Sequence, residues 1–577
     1  METFRCSFLF ILLFVSNFIC NSFSQSTEID TSFYRSPINF PISLSGNFGE
    51  LRNNHFHSGI DIRTGGEEGK AIFAVADGFV SRIKVSPFGY GNALYITHKN
   101  GQVSVYGHLQ AYNKTITNYL RTEQYKQESF EVDLFPAKNE LPIKKGDTIA
   151  LSGNTGGSEA PHLHFEIRDE KTEWTKNPLL NGFSVPDSVK PEIYQVVLYP
   201  RNVNALVNNE NDKKFFGVKV ERGNLSMSNL NPIDVSGLIG FGIETNDEED
   251  DHAGKNGTYN ILLYIDGNIQ YEYKINSFAF DQTRNINAHI DYQQKKKVGK
   301  LFQKCFVEPN NKFPCYKTNK NNGVFNFTDN DVHIVKIVVA DVHKNENTLL
   351  FVVQSHENGI NEKPKVAKNA QDFFYYNIDN TFKRDGVYLN IPKGVLQSDI
   401  NFEFKAEENN KYYSNIYKIH REDEGLLASY NLKIKLQKNV SEKLKQKLLI
   451  ASVNSGGGLS SEGGGYNEQT KTVDTNLKTF GYFTITADTT KPNITNVIID
   501  KEEAKVRNII AKISDNLSGI KSYKGTIDAN WILMEYHYKN GTLVYTFDNK
   551  FNDGKPHIFK LVVTDFKGNS SEILKPF

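Results

Sequence analysis

Five residues in the first third of the chain are of the types that bind metal ions or move protons. They are His57 and Asp61, four positions apart, then His108, and finally His162 and His164, separated by one residue. Catalytic zinc usually takes three protein ligands and keeps a fourth position for water, and two imidazoles with one carboxylate supply such a set. Alternate residues of a strand face the same side, so both histidines of the last pair would face one site.

Such a group of residues would suit metal-assisted hydrolysis. A bound metal lowers the pKa of water to about 7, and a neighbouring neutral histidine takes the proton and later passes it to the leaving amine. Taken singly, each cluster is a weak signal, because a histidine in a strand is more often structural and a lone H-x-H or H-x-x-x-D pattern is common by chance. Their order and their glycine-rich surroundings favour a site.

The elements that would position these residues are short strands. Residues 25 to about 185 are dense in glycine and in strand-like runs bounded by turns, such as residues 71–75, 78–83 and 93–96. An Asn-Gly turn at residues 100–101 predicts a hairpin. The polar stretch 113–130 carries Ile116, Leu120 and two tyrosines at roughly helical spacing, which predicts a helical insertion at a sheet edge.

The motifs around the five residues resemble those of the lysostaphin-type zinc endopeptidases, a family of peptidoglycan peptidases with the duplicated hybrid motif fold. The resemblance covers nearly all of residues 44–170, in order. The matching runs are Asn47-Phe48-Gly49-Glu50-Leu51-Arg52, His57-Ser58-Gly59-Ile60-Asp61-Ile62, Ala74-Val75-Ala76-Asp77-Gly78-Phe79-Val80, Gly89-Tyr90-Gly91-Asn92, Tyr106-Gly107-His108-Leu109, Lys145-Gly146-Asp147, Ser152-Gly153-Asn154-Thr155-Gly156-Gly157-Ser158 and Pro161-His162-Leu163-His164-Phe165-Glu166-Ile167.

The resemblance implies a role for each of the five residues. His57, Asp61 and His164 would bind Zn²⁺, while His108 and His162 would activate water and stabilise the transition state. It also implies a small, mostly antiparallel β fold with the site in an open groove. Silent relatives typically lack one or more zinc ligands, whereas this chain keeps the whole set.

Several other polar residues are weaker candidates for a role in the site. We expect structural or peripheral roles for His55 on the groove rim or next to the ligands, His98 at a hairpin end, Glu166 at a strand end, and His333 and His557 farther along the chain. Asn154 and Thr155 form a turn near the site with a possible substrate contact. Ala160 stands where the family usually has glycine, a change that should not disturb the metal.

Beyond residue 185 the chain contains two related β segments. Asp187–Ile193 is echoed by Asp488–Ile494, and His333–Asp341 is echoed by His557–Asp565. These paired signatures resemble immunoglobulin-like modules and predict two β-sandwiches, at residues 186–364 (with insertions) and 488–577. A further β-rich domain occupies residues 365–487. The predicted fold class is therefore mainly β: an N-terminal antiparallel β metallopeptidase domain (25–185) followed by about three β-sandwich-like domains. We expect the first domain to fold and work when everything after residue 190 is removed.

The N-terminus and the composition bear on location and partners. The apolar run Phe8–Val15, with Ser22 and Ser24 after it, predicts a signal peptide at residues 1–24, although an uncleaved anchor or lipidation at Cys20 are alternatives. No later stretch is apolar enough to span a membrane. Lys+Arg and Asp+Glu both number 67, which argues against a nucleic-acid partner. In an exported chain, Cys305 and Cys315 predict one local disulfide.

These observations favour a secreted zinc metalloprotease that hydrolyses stem peptides or crosslinks of peptidoglycan in the periplasm or cell envelope, with a location outside the cell as the alternative. The alternative is a catalytically silent wall-binding protein or an activator of another cell-wall hydrolase. An adhesin would leave the metal-type residues unexplained. The later β domains suit wall binding, spacing or contact with an envelope protein. D-Ala–diaminopimelate crosslinks are the expected target, with a glycine bridge or a non-wall protein left open.

Overall fold

The computed structural model of the chain describes residues 33–577 except 184, 223, 251, 319, 358–371, 503–504, 548–550, 552 and 554. The predicted signal peptide, residues 1–24, lies outside the described residues. Strand accounts for 49% and helix for 8% of the structure, so the mainly β fold class is confirmed. Among the described helices, none combines the length and the apolar character needed to cross a membrane.

The first domain contains strands β1–β14. In chain order they are Leu44–Gly46, Leu51–Arg52, His55–Phe56, Ile60–Arg63, Ala71–Phe73, Gly78–Val85, Asn92–His98, Gln102–Gly107, Ala111–Tyr112, Val132–Leu134, Pro142–Ile143, Thr148–Leu151, His162–Asp169 and Thr175–Lys176. One sheet has the order β1-β4-β13-β8-β7-β6-β10, and β5-β12-β9 form a smaller sheet. The pairings along both sheets are antiparallel, as the resemblance implied. A 3₁₀ turn at Pro178–Leu180 follows the last strand.

The predicted helical insertion is helix α1, Lys114–Gln127. The side chain of Asn113 accepts a hydrogen bond from the backbone N–H of Ile116 at 3.0 Å, which caps the first turn. Ile116, Leu120 and Gln124 are buried at four-residue spacing. The strand that follows the helix, β10, is the last in its sheet, so the helix enters at the edge as expected.

The later domains are built from strands β15–β48 and short helices. In residues 186–364, β15–β28 are Glu192–Pro200, Leu206–Val207, Lys214–Glu221, Asn224–Met227, Ile233–Glu249, His252–Asn256, Asn260–Ile265, Asn268–Lys274, Ser277–Phe278, Phe302–Lys304, Tyr316–Thr318, Phe325–Phe327, Val332–Ala340 and Glu346–Ser355. The helices there are α2, Ile286–His289, and α3, Tyr292–Val298, with 3₁₀ turns at Phe280–Asn285 and Lys320–Gly323. The long strand β19 pairs with strands near both of its ends.

The third and fourth domains each contain two main sheets around one core. In the third domain, β29–β40 are Asp372–Phe374, Asn380–Arg384, Val387–Ile391, Ile400–Phe402, Phe404–Glu407, Ile416–Ile419, Tyr430–Lys435, Leu448–Val453, Leu459–Ser461, Gly465–Asn467, Thr472–Leu477 and Gly481–Ala487, with α4 at Glu442–Lys445. In the fourth, β41–β48 are Asn493–Glu502, Lys505–Ser514, Ile520–Ile527, Asn530–Ile532, Glu535–His537, Thr542–Thr546, Ile558–Asp565 and Ser570–Pro576. This is the arrangement of β-sandwiches.

The two echoed segments have the same hydrogen bonds. His333 on β27 bonds the carboxylate of Asp266 at 2.6 Å through one ring nitrogen and that of Asp329 at 3.0 Å through the other. His557, directly before β47, likewise bonds Asp528 at 2.6 Å and Asp553, four residues before it, at 2.9 Å. Both histidines tie a strand to neighbouring turns, which supports a structural role for each and a common origin for the two segments.

The first two domains share a hydrophobic core. Phe48 and Phe56 of the first domain are buried among side chains of the second, and the ring of Phe56 stacks on that of Phe313 at 4.4 Å. Strand β14 pairs with β23 of the second domain. Gly49, with a φ of +82°, packs so closely on Ile275 that a Cβ there would lie 2.5 Å from its side chain. This packing argues against the expectation that residues up to 190 fold alone.

The expected disulfide is absent, since Cys305 and Cys315 are both buried free thiols. Different strands hold their backbones. The N–H of Cys305 donates to the carbonyl of Phe241 on β19 at 2.8 Å, whereas the carbonyl of Cys315 accepts from the N–H of Lys274 on β22 at 2.9 Å. Different strands fix the two cysteines, and each side chain contributes to the core as a small hydrophobic group.

Candidate metal centre

Three adjacent strands of the first sheet bring the predicted residues together. Across the ladder, His164 on β13 lies opposite Asp61 on β4 on one side and opposite Gly107, the last residue of β8, on the other. His108 follows directly after β8, and His57 lies three positions before Ile60, the first residue of β4. Long-range antiparallel register, rather than nearness in sequence, therefore assembles the site.

The donor atoms of the three predicted zinc ligands converge. Nε2 of His57 lies 3.1 Å from Oδ1 of Asp61 and 3.1 Å from Nδ1 of His164, and this Nδ1 lies 2.9 Å from the same Oδ1. All three side chains are buried. Ligands of a tetrahedral zinc ion, at bond lengths of about 2.0–2.1 Å, stand a little over 3 Å apart, so these separations fit zinc.

Hydrogen bonds on the outer side of each ring orient the two histidines. Nδ1 of His57 is 2.8 Å from the carbonyl oxygen of Asn47, and Nε2 of His164 is 2.8 Å from Oε1 of Glu166. Both outer nitrogens must donate, because their partners only accept. When both rings are neutral, as a metal ligand must be, the inner nitrogens, which face Asp61, present lone pairs. Three acceptor atoms facing one another at about 3 Å repel unless a cation lies between them, so this donor set fits a metal ion.

The electrostatics of the cluster favour positive charge at the same point. Although burial disfavours its charged form, the two carboxylates beside His164 raise the pKa of that histidine to about 9. Despite its own burial, Asp61 has a pKa held well below its usual value by His57, His162 and His164. The carboxylate is therefore ionised at neutral pH and available as a ligand.

Glu166 has a larger role than the strand-end residue expected from the sequence. It lies inside β13 and is fully buried. Besides His164, its carboxylate accepts hydrogen bonds from the hydroxyls of Ser58 at 2.6 Å and Tyr90 at 2.5 Å and from Nε of Arg168 at 2.6 Å. Burial raises its pKa, but Arg168 and His164 outweigh this and hold the pKa below the usual value. Its position, two residues after His164 on the same strand face, was the available signal.

His108 and His162 lie side by side next to the donor cluster, with ring centroids 4.8 Å apart. Nδ1 of His108 is 2.8 Å from the carbonyl oxygen of Thr155, and Nδ1 of His162 is 2.8 Å from that of Ala160. Each Nδ1–H therefore donates to a backbone carbonyl, and Nε2 is the ring nitrogen that can act in the site. Burial, with the nearby His164, lowers the pKa of His108 to about 3, so that ring is neutral at physiological pH. His108 adopts a left-handed backbone with φ of 59°, a conformation common at functional positions.

Two other histidines and one arginine of the first domain differ in their relation to the site. His55 is exposed and lines the groove, in agreement with a rim position. His98 is buried between the carbonyl of Asp77 and the hydroxyl of Ser104, at 3.0 and 2.8 Å, which is a structural arrangement. Arg52 was not singled out from the sequence, yet its guanidinium donates to Oδ2 of Asp61 at 2.9 Å and so fixes the carboxylate's second oxygen.

The site opens into a groove of about 1250 Å³. Most of its lining comes from the first domain, but Phe280 and Thr283 of the second domain contribute to one wall. The ring of Phe280 lies 4.4 Å from the guanidinium of Arg168, which in turn bonds Glu166. The second domain therefore takes part in shaping the groove and is not merely appended to it.

Comparison with known proteins agrees with this geometry. Residues 55–178 match Peptidase family M23, and residues 371–488 match the Zu5-like domain. The DD-carboxypeptidase/endopeptidase Mpg of Neisseria meningitidis is 32% identical over 118 residues, which is 20% of this chain and 21% of that protein. The murein hydrolase activator NlpD of Salmonella dublin is 32% identical over 148 residues, which is 26% of this chain and 31% of that protein.

Among solved structures, the catalytic domain of lysostaphin from Staphylococcus simulans is 24% identical, with a TM-score of 0.18, and the match covers 23% of this chain and 86% of that one. The chain thus spans only about a fifth to a third of the length of the curated relatives it matches. The matched residues include the five of the candidate metal centre. Residues 55–178 are therefore similar to Peptidase family M23, and further β domains follow them.

Proposed function

We propose that this protein is an exported zinc-dependent endopeptidase that hydrolyses peptide bonds of peptidoglycan in the cell envelope. The observation that carries the proposal is the convergence of His57, Asp61 and His164, with two further histidines beside them, in an open groove. Relatives support the substrate: besides Mpg, the peptidoglycan DD-endopeptidase ShyC of Vibrio cholerae is 30% identical over 140 residues, 24% of this chain and 27% of that protein.

In this proposal, Nε2 of His57, Oδ1 of Asp61 and Nδ1 of His164 would hold the zinc ion. When bound, zinc supplies Lewis acidity, which polarises a carbonyl and acidifies water. Asn47 and Glu166 keep the two imidazoles turned toward the ion, and Arg52 keeps the carboxylate in place.

His108 and His162 perform the proton transfers. The carbonyls of Thr155 and Ala160 fix the Nδ1–H of each ring, so both Nε2 atoms face the groove. A neutral imidazole in this place accepts a proton from the attacking water and returns it to the leaving amine. When protonated, it also donates a hydrogen bond to the oxyanion of the transition state. Two adjacent rings allow one to serve the water and the other the oxyanion.

The similarity to the murein hydrolase activator NlpD supports a second candidate function, which is activation of another cell-wall hydrolase. The complete set of five residues favours hydrolysis, because an activator needs none of the proton-transfer geometry. The deciding experiment is digestion of purified peptidoglycan by the full chain, with and without a metal chelator, and identification of fragments by mass. We expect chelator-sensitive release of peptides with new termini. Stoichiometric zinc without any release would instead indicate an activator.

The contacts of Glu166 yield a prediction about zinc affinity. Glu166→Gln should weaken zinc binding by about 10- to 100-fold, because the amide is a poorer acceptor for Nε2–H of His164 and is not anionic. Competition with a chromogenic chelator measures the affinity. The same change at the exposed Glu170 of the neighbouring turn is the control and should leave the affinity unchanged. Equal affinities for the two variants would remove Glu166 from the metal centre.

A further inference from the structure

The fourth domain lies against the rim of the peptidase domain. Nζ of Lys539 donates to the carbonyl and side-chain oxygens of Asn154 at 2.6 and 2.9 Å. The ring of Trp531 packs edge-on against that of Tyr125 on α1 at 5.2 Å. Asn154 precedes Thr155, whose carbonyl fixes His108. A domain distant in sequence therefore reaches the turn that positions a histidine of the active site.

Between the two domains lies a cleft of about 540 Å³, within the usual range for ligand sites. Its wall on the fourth domain is the hairpin of β45 and β46, residues 535–540. Ser86 lines both this cleft and the metal-centre groove. Phe88, on the groove side, meets Tyr538 of the cleft with ring centroids 4.9 Å apart. The cleft is thus a lateral continuation of the groove, beyond a ridge made by these two rings.

The chemistry of the cleft is that of a site for a neutral, polar ligand. Its two carboxylates, Glu68 and Glu535, are equal in number to its Arg and Lys side chains, Arg121 and Lys539, and Arg121 lies 3.8 Å from Glu535. The rest of the lining is rich in amides, hydroxyls and tyrosine rings. A cleft with balanced charge does not favour a free carboxylate or amine of a peptide over a neutral ligand.

We propose that this cleft binds the glycan strand of peptidoglycan while a peptide attached to that strand occupies the groove. N-acetylated sugars are neutral, donate and accept many hydrogen bonds and have apolar ring faces that pack on aromatic rings such as Tyr538. The inference rests on the proposed function, since it assigns the second part of the same substrate. It gives the fourth domain a task, which is to hold the glycan beside the metal centre.

Binding of separate substrate parts tests this inference. Neutral oligomers of N-acetylglucosamine, which carry no lactyl carboxylate, and isolated stem peptides are titrated by calorimetry into the full chain carrying His162→Ala, so that nothing is hydrolysed. Adding Tyr538→Ala should weaken glycan binding by about tenfold, as for loss of an aromatic packing contact, and leave stem-peptide binding unchanged. Tyr538→Phe should retain glycan binding. Phe566→Ala, at an exposed aromatic of the same domain outside the cleft, is the matched control.

The outcomes separate this inference from the proposed function, because glycan binding requires no catalysis. No glycan binding by the parent chain, or equal loss in the Tyr538→Ala and Phe566→Ala variants, would overturn the inference even if the protein hydrolyses peptidoglycan. Loss of stem-peptide binding instead would assign the cleft to peptide. The Tyr538→Ala variant is also assayed with the native His162. If it hydrolyses peptidoglycan faster than the native chain and binds glycan equally well, the fourth domain restricts access to the groove, which also contradicts the inference.

Discussion

Replacing His164 by alanine should abolish both zinc binding and hydrolysis, whereas His162→Ala should keep the zinc and lose the hydrolysis. The two histidines are separated by one residue on the same strand face but differ in surroundings. Nδ1 of His164 lies about 3 Å from the donor atoms of both His57 and Asp61. Nδ1 of His162 lies 2.8 Å from the carbonyl oxygen of Ala160. Its Nε2 lies 3.3 Å from Oδ1 of Asp61, farther than the 2.9 Å of His164, and its side chain is the more exposed of the pair.

The size of each effect follows from these positions. Loss of His164 removes one of three ligands, so zinc affinity should fall by more than the roughly 100-fold that loss of an outer hydrogen-bond partner can cost. Loss of His162 removes a proton-transfer group, which typically contributes about 10²- to 10⁴-fold in rate. Metal content by mass spectrometry and the rate of peptide release measure the two effects. His55→Ala, on the groove rim, serves as the control and should retain both properties. If His162→Ala also loses its metal, the ligand assignment is wrong.

The sequence was sufficient to nominate the five central residues because their motifs are short and local. It could not show what surrounds them. The sequence predicts Glu166 to be a strand-end residue, yet its side chain is fully buried and accepts hydrogen bonds from Ser58, Tyr90 and Arg168. Burial is a property of the assembled sheet, and these partners come from separate parts of the chain. The alternate positions of His162, His164 and Glu166 were the one sequence signal that Glu166 faces the site, since alternate residues of a strand share one face.

The same distinction explains the fold. The mainly β class and helix α1 were predictable, since strand runs and the spacing of Ile116 and Leu120 are local patterns. The predicted disulfide was wrong, because nearness in sequence does not place two thiols in bonding geometry, and the packing around Cys305 and Cys315 depends on long-range strand pairing. For the same reason, nothing in the sequence indicated that Phe56, one residue before a predicted zinc ligand, packs in the core of the next domain.

A chain that ends after residue 190 should therefore fail to form a stable peptidase domain. Truncation would expose Phe48 and Phe56, which are 2% and 0% exposed in the full chain, at a cost of about 1.5–3 kcal/mol each. It would also remove the hydrogen bonds between the side chain of Asn47 and Gly257, at 2.7 and 2.9 Å. The total is a large fraction of the roughly 5–15 kcal/mol that stabilises a typical domain.

Thermal unfolding by circular dichroism compares this truncation with a chain that ends after residue 364 and so retains the shared core. We expect a cooperative transition only for the longer chain. A point variant avoids truncation altogether: Phe313→Ala in the full chain removes the ring that stacks on Phe56 and should lower the unfolding free energy by about 3–5 kcal/mol.

The consequence for the metal centre follows through Asn47. Its side chain holds Gly257 of the second domain, and its carbonyl accepts the hydrogen bond that turns His57 toward the site. Loss of the second domain should therefore weaken zinc binding even in any molecules that remain folded. A chain ending at residue 190 that unfolds at the same temperature as the longer chain, with equal zinc affinity, would show that the peptidase domain is autonomous. Weakened zinc binding would instead show that the metal centre depends on the second domain, which lies outside residues 55–178, the part of the chain that matches the peptidase family.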